Sequence, residues 1–191
     1  MQSRVSTRMT ARSLHLAVVL VVVAFLGVSQ VSAQDVAVGS ATATVQAVLQ
    51  VTADQALNFG IVYQGVPKTV GPDDDANSGI FTVTGEGGAQ VAMYLELPEY
   101  ISTATGDDRM NIAFAATDAT IAYTAASTPS VPGAGASIGE NPHNLTTYTL
   151  GAAAPDNVAK VFLGGEVMPS VDQAAGAYSA DIILTAAYTG I

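Results

Sequence analysis

The chain has 191 residues, with sixteen acidic side chains against six basic ones and a formal net charge of −10 at neutral pH. It contains no cysteine and two histidines, which excludes a disulfide framework and removes the soft ligands from which zinc and copper sites are built. Beyond residue 33 the only basic side chains are Lys68, Arg109 and Lys160, too few to neutralise a phosphate backbone or an anionic bilayer, so neither nucleic acid nor a membrane surface is expected as a partner.

The first segment reads as a secretion signal. Arg4, Arg8 and Arg12 form a positive region without acidic residues, and an apolar run follows from Leu14 to Gly27. Val31-Ser32-Ala33 then places small or β-branched side chains where a signal peptidase accepts them, predicting cleavage after Ala33. The apolar run, roughly 13 residues, is shorter than the ~20 that cross a bilayer as a helix, which argues against a retained anchor and against stable membrane insertion after cleavage. No cysteine adjoins the site, so lipid anchoring is excluded, and no Arg-Arg pair precedes the apolar run, so the general secretion route is expected. Cleavage leaves 158 residues, enough for one domain with a real core. Three of the six basic residues leave with the signal and all sixteen acidic ones stay, so the net charge becomes −13. An acidic, lysine-poor exterior suits solubility in the periplasm or outside the cell.

Residues 34–40 form a short tail whose Val36, Ala37 and Val38 make it a candidate donor strand for a neighbouring sheet. Residues 41–191 then read as a single domain dominated by period-two alternation. From Ala41 to Val51 every odd position is apolar while Thr and Gln fill most even ones, predicting a long strand with one buried face. Leu57-Asn58-Phe59-Gly60-Ile61-Val62-Tyr63 is expected as a second strand, and the acidic stretch from Pro72 to Gly79 as a loop. Further strands are expected over Ile80–Thr84 and Val91–Leu97. Met110–Ala115 and Thr120–Thr124 read as a pair turning around Asp118. The Ser-, Pro-, Gly- and Ala-rich stretch 126–144 is expected to be loop. Val158–Leu163 meets Gly164-Gly165, a pair suited to a tight reversal. In the last segment Tyr178, Ala180, Ile182, Leu184, Ala186 and Tyr188 line one face of a long closing strand. Roughly nine short strands separated by turn signals every 8–12 residues predict an all-β fold of the β-sandwich kind. An outer-membrane barrel needs strands of about 9–11 residues with aromatic girdles, which fits these segments less well.

Few residues carry recognisable chemistry. Gly135-Ala136-Ser137-Ile138-Gly139 matches a serine-hydrolase pattern, but that chemistry needs a strand before the serine and a helix after it. Pro132-Gly133 and Asn141-Pro142 forbid both. His143, the one histidine left after cleavage, gives nucleophile–base pairs little to draw on. The acidic loop offers Asp73, Asp75 and Asn77 as hard oxygen ligands at alternate positions, a weak calcium candidate. The glycine falls one place late, and Thr84 stands where an EF-hand has its bidentate glutamate. No other metal or cofactor is expected. Asn144-Leu145-Thr146 fits the N-glycosylation sequon. Tyr94, Tyr178 and Tyr188 fall within strand alternation and read as packing residues rather than a glycan platform. No two of Glu96, Glu99, Glu140 and Glu166 stand out as a catalytic pair.

Leu57-Asn58-Phe59-Gly60 after an alternating segment, Leu163-Gly164-Gly165, and Gly176-Ala177-Tyr178 opening a last strand that ends at Tyr188 occur in an order that resembles a bacterial family of secreted domains of unknown function, over about residues 41–190. The Gly-x-Tyr closing strand is also similar to that of fimbrial subunits of the spore-coat-U and chaperone–usher type. That resemblance implies an incomplete immunoglobulin-like sandwich and a surface or filament role, with no catalytic residues. The chain departs from many such subunits in lacking a cysteine pair. The expectation is therefore an exported, non-enzymatic structural or adhesive protein, a pilus-like subunit that self-associates or joins another surface protein by strand addition. The alternative is a monomeric periplasmic or extracellular module that binds a glycan or protein.

Overall fold

The computed structural model describes residues 40–43, 45 and 47–189. The expected signal, and Val36, Ala37 and Val38 of the expected donor tail, lie outside the described residues. The chain divides into two units, Met1–Ala43 and Thr44–Ile191, and every described strand belongs to the second. The fold is all-β, as the alternation predicts, but it contains twelve described strands rather than nine.

The strands are β1 (Gln50–Gln55), β2 (Lys68–Val70), β3 (Gly79–Thr84), β4 (Gln90–Glu96), β5 (Tyr100–Ser102), β6 (Arg109–Ala113), β7 (Ala119–Ala122), β8 (Ser137–Glu140), β9 (Tyr148–Thr149), β10 (Val158–Leu163), β11 (Gly165–Met168) and β12 (Ile183–Tyr188). They form three antiparallel sheets, ordered β1-β3-β10-β7-β8, β2-β11-β6-β5 and β12-β4-β9. Inward residues of the first sheet (Phe81, Val83, Ile121, Val161, Leu163) and of the third (Val91, Met93, Leu95, Leu184) share one apolar core, with Leu150 among them. A smaller core lies on the second sheet, where Met110, Ile112 and Val167 are buried beneath Phe59, Val62, Ile101 and Tyr178.

Alternation locates a strand where one face is buried. In β3 and β4 the buried positions are Phe81 and Val83, then Val91, Met93 and Leu95, at spacing two. Elsewhere the sequence pattern misleads. The strand expected over Ala41–Val51 begins only at Gln50, and Val45 is 92% exposed. Ala47 is exposed as well, so the alternation there marks no buried face. The strand expected over residues 57–63 is absent: the Gly60 N–H donates to Asn58 Oδ1 at 2.8 Å and Gly60 adopts φ +60°, so the chain bends there. Conversely, β8 forms inside the expected 126–144 loop, pairing with β7.

Two expected pairings are replaced. β6 and β7 do not turn onto each other around Asp118; β6 pairs with β5 and β11, and β7 with β10 and β8. Gly164-Gly165 does not close a hairpin either. Leu163 pairs with Gly79 and Ala119 in the first sheet, whereas Gly165 pairs with Val70 in the second. The dipeptide is the point where the chain passes between sheets. A Cβ on Gly164 would lie 2.5 Å from the Val70 carbonyl oxygen and 2.8 Å from Pro72 N, so only glycine fits. The closing strand is regular only from Ile183; Tyr178–Ile182 is linked to the second sheet by a single bridge, Ser102 to Ser179.

Candidate functional site

The second sheet is short, and its apolar face is covered by irregular chain rather than by another sheet. Residues 56–64 run along one side and residues 173–182 along the other, leaving a groove of about 910 Å³ with Met110, Ile112 and Val167 at its floor. Both walls are built by motifs that the alternation reads as strands. In the first wall, Leu57 lies against Gly79, where a Cβ would come within 3.4 Å of it. The Asn58 N–H donates to the Asn77 carbonyl at 2.8 Å, Phe59 packs on the small core, and the turn at Gly60 reverses the chain. Lys68 Nζ donates to the Ile61 carbonyl at 3.2 Å, which holds the turn against β2.

The second wall is held by one buried amide. Gln173, 8% exposed, donates from Nε2 to the Arg109 carbonyl at 3.1 Å and to the Tyr178 hydroxyl at 2.8 Å, and its Oε1 accepts from the Ser170 N–H at 3.3 Å. Tyr178 passes its own proton to the Ala174 carbonyl at 2.7 Å. Gln64 Nε2 donates to the Gln173 carbonyl at 2.6 Å and joins the two walls. A buried amide with every polar group paired fixes a loop that apolar contact alone would leave loose. Nothing in the sequence marks Gln64 or Gln173; each is an isolated glutamine in a small-residue stretch, and only the fold reveals the clasp.

The groove has an apolar rim. Ile61 and Tyr63, which both line it, are 76% and 71% exposed. Val171 sits directly over Gly65, 3.0 Å from where a Cβ would project, and the Gly65 N–H donates to the Ser170 carbonyl. Large apolar side chains clustered at a concave, apolar surface mark an interaction site more strongly than the same residues scattered singly.

The other sequence candidates are held in local contacts. In the acidic loop Asp74, not Asp73 or Asp75, is the organiser: its carboxylate accepts from the N–H groups of Ala76 and Asn77 and from the Asn77 side-chain amide. Those bonds, the Asn77 amide first, hold its pKa below the usual carboxylate value. The Asp75 carboxylate accepts from the Ser130 hydroxyl and, at 2.8 Å, from the Ser130 N–H, and its pKa is lowered by them, the hydroxyl foremost. The Asp75 carboxylate thus faces Ser130 and the Asn77 amide faces Asp74; among the described residues no three His, Cys, Asp or Glu side chains converge as a metal cluster.

Ser137 Oγ donates to Glu140 at 2.6 Å at the start of β8, and His143 Nε2 lies 3.2 Å from the Phe114 carbonyl, an arrangement that needs the proton on that nitrogen. Asn144 of the sequon is exposed. Of the three tyrosines expected as packing residues, Tyr178 covers the small core and Tyr188 is partly buried against the large one. The Tyr188 hydroxyl accepts from the Glu86 N–H and donates to the Ala47 carbonyl. Tyr94 lies on the open face of β4 and is 62% exposed. No family model, no curated protein and no solved structure matches this chain.

Proposed function

We propose that this chain is an exported, non-enzymatic structural or adhesive protein of the cell surface or extracellular space, a pilus-like subunit built on an incomplete immunoglobulin-like sandwich. The observation that supports this reading is the groove over the second sheet: an apolar floor of Met110, Ile112 and Val167 under two irregular walls, with exposed Ile61 and Tyr63 at its rim. A groove of that kind offers its apolar floor to the alternate side chains of an extended peptide, and their spacing sets the register. The donor in this reading is Gln34–Ser40 of a neighbouring copy, with Val36 and Val38 entering the groove and Ala37 facing out.

Deleting residues 34–40 tests it, with the assembly state read by size exclusion and negative-stain microscopy. Loss of filaments or oligomers is the expected result; unchanged assembly rejects strand donation by that segment. The same material separates the rival reading, a monomeric module whose groove takes a peptide from another protein. That module would run as a monomer with or without the tail and bind its ligand saturably.

A further inference from the structure

Among the described residues three sheets present six edges, and five of them carry features that protect against pairing with another chain. β1 carries Asp54 and an irregular register between Ala53 and Gln55. β8 has four residues, a register shift opposite Ala119/Thr120, and Glu140 at its end. β2 has three residues, includes Lys68, and lies between Pro67 and Pro72. β5 has three residues and is met by the Ser179 bridge, and β9 has two. Short length, bulges, charge and proline are the devices by which proteins keep sheet edges from associating. β12 has none of them. It is six residues long, pairs with β4 in unbroken register from Ile183 to Tyr188, and has no charge or proline from Ile182 to Thr189.

We propose that β12 is an interface with a second copy of this chain, formed by antiparallel pairing of β12 with its own counterpart about a two-fold axis through Thr185. The argument is independent of strand donation from the tail. An edge paired with itself is self-complementary under a two-fold axis, so one strand supplies both halves of the contact. The alternation restricts the register. Residues opposite one another in an antiparallel pair share a face, so the inward series Ile182, Leu184, Ala186 and Tyr188 must meet its own kind. Centring on Thr185 does this and sets Ile182 against Tyr188, Ile183 against Ala187 and Leu184 against Ala186. Ile183, 52% exposed, is covered, and Asp181 falls opposite Thr189 rather than another acid. The product is a six-stranded sheet, β9-β4-β12 continued by its two-fold mate. In a chain with sixteen acidic residues this uncharged strand is where two copies meet with least repulsion.

The absence of cysteine makes the test direct. Cross-strand Cβ atoms lie about 4.5–5.5 Å apart, within reach of a disulfide or a short bis-maleimide. Thr185→Cys in the exported protein is expected to give a covalent dimer. Ile183→Cys and Ala187→Cys are each expected to give no cross-link alone and to cross-link when mixed. Thr185→Lys places two cations opposite each other on an exposed face that folding does not need, and is expected to weaken the dimer about fivefold by sedimentation. Added salt is expected to strengthen the wild-type dimer by screening its acidic surface. A monomeric Thr185→Cys protein, or equal cross-linking at all three positions, overturns the proposal. A cross-link that appears only after residues 34–40 are deleted also overturns it, because the tail rather than a second β12 then covers that edge.

Discussion

At Gly164 the Val70 carbonyl and the ring of Pro72 occupy the space a side chain would take. Gly164→Ala therefore forces backbone apart at the passage between two sheets, and a loss of about 1–3 kcal/mol is expected in urea unfolding, the range seen for overpacked sites. Gly88→Ala is the control, since nothing lies within 4 Å of its Cβ position and only its φ of +78° is strained. A second residue-scale expectation concerns Tyr148, which stacks on Tyr123 with ring centroids 4.3 Å apart. Burial, with a smaller contribution from Tyr123, pushes its phenol up to about 12. A phenol whose folded pKa is raised favours folding fully below its unfolded value near 10, and that contribution is lost as the pH rises towards 12. Tyr148→Phe should abolish the latest step in the phenolate absorbance titration and flatten the loss of stability across that window.

The acidic-loop carboxylates run the other way. Asp74 and Asp75 titrate below their unfolded value of 3.8, so their support is complete above it and fades as pH falls through the lowered folded values. Asp75→Asn keeps the shape but loses the charge, and in an amide titration the Ser130 N–H should become insensitive to acid in that variant.

At the scale of elements, the clasp around Gln173 ought to be separable from the cores. Gln173→Ala strands the Arg109 carbonyl and frees the Tyr178 hydroxyl from its donor. A cost of about 0.5–1.5 kcal/mol follows from the lost hydrogen bonding, with hydrogen exchange rising along 173–179 while β3 and β10 remain protected. The elements also show why the sequence was readable in some places and not in others. β3, β4 and β10 announced themselves because Val83, Val91 and Val161 are buried and their neighbours cannot slip without exposing them. Residues 41–51 and 57–63 alternate just as well, yet the first segment mostly faces solvent and the second is bent by one side-chain bond from Asn58. Period reports which side chains share a face of an extended chain, not whether a partner strand exists. β8 escaped notice for the opposite reason: Gly139 and exposed Ile138 give no pattern, and the pairing with β7 alone defines it. The groove was invisible because its walls come from segments about 110 residues apart, joined by Gln64 and Gln173.

For the molecule as a whole, the position of residues 158–168 sets the order in which anything can become stable. β10 is the middle strand of the five-stranded sheet, and β11 an inner strand of the four-stranded one. A chain that stops at Asn157 can bring β1 to β3, β7 to β8, β5 to β6 and β4 to β9, but the first two sheets then have a vacancy through their middle. β4 meanwhile waits for β12 at the far end of the chain. Neither of those two sheets is continuous until residues 158–168 are in place, as a coat stays open until its zip is drawn. A fragment ending at residue 157 should give a coil-like circular dichroism spectrum, whereas the full chain gives a strand spectrum. One stretch, residues 158–168, is thus the keystone of two sheets at once.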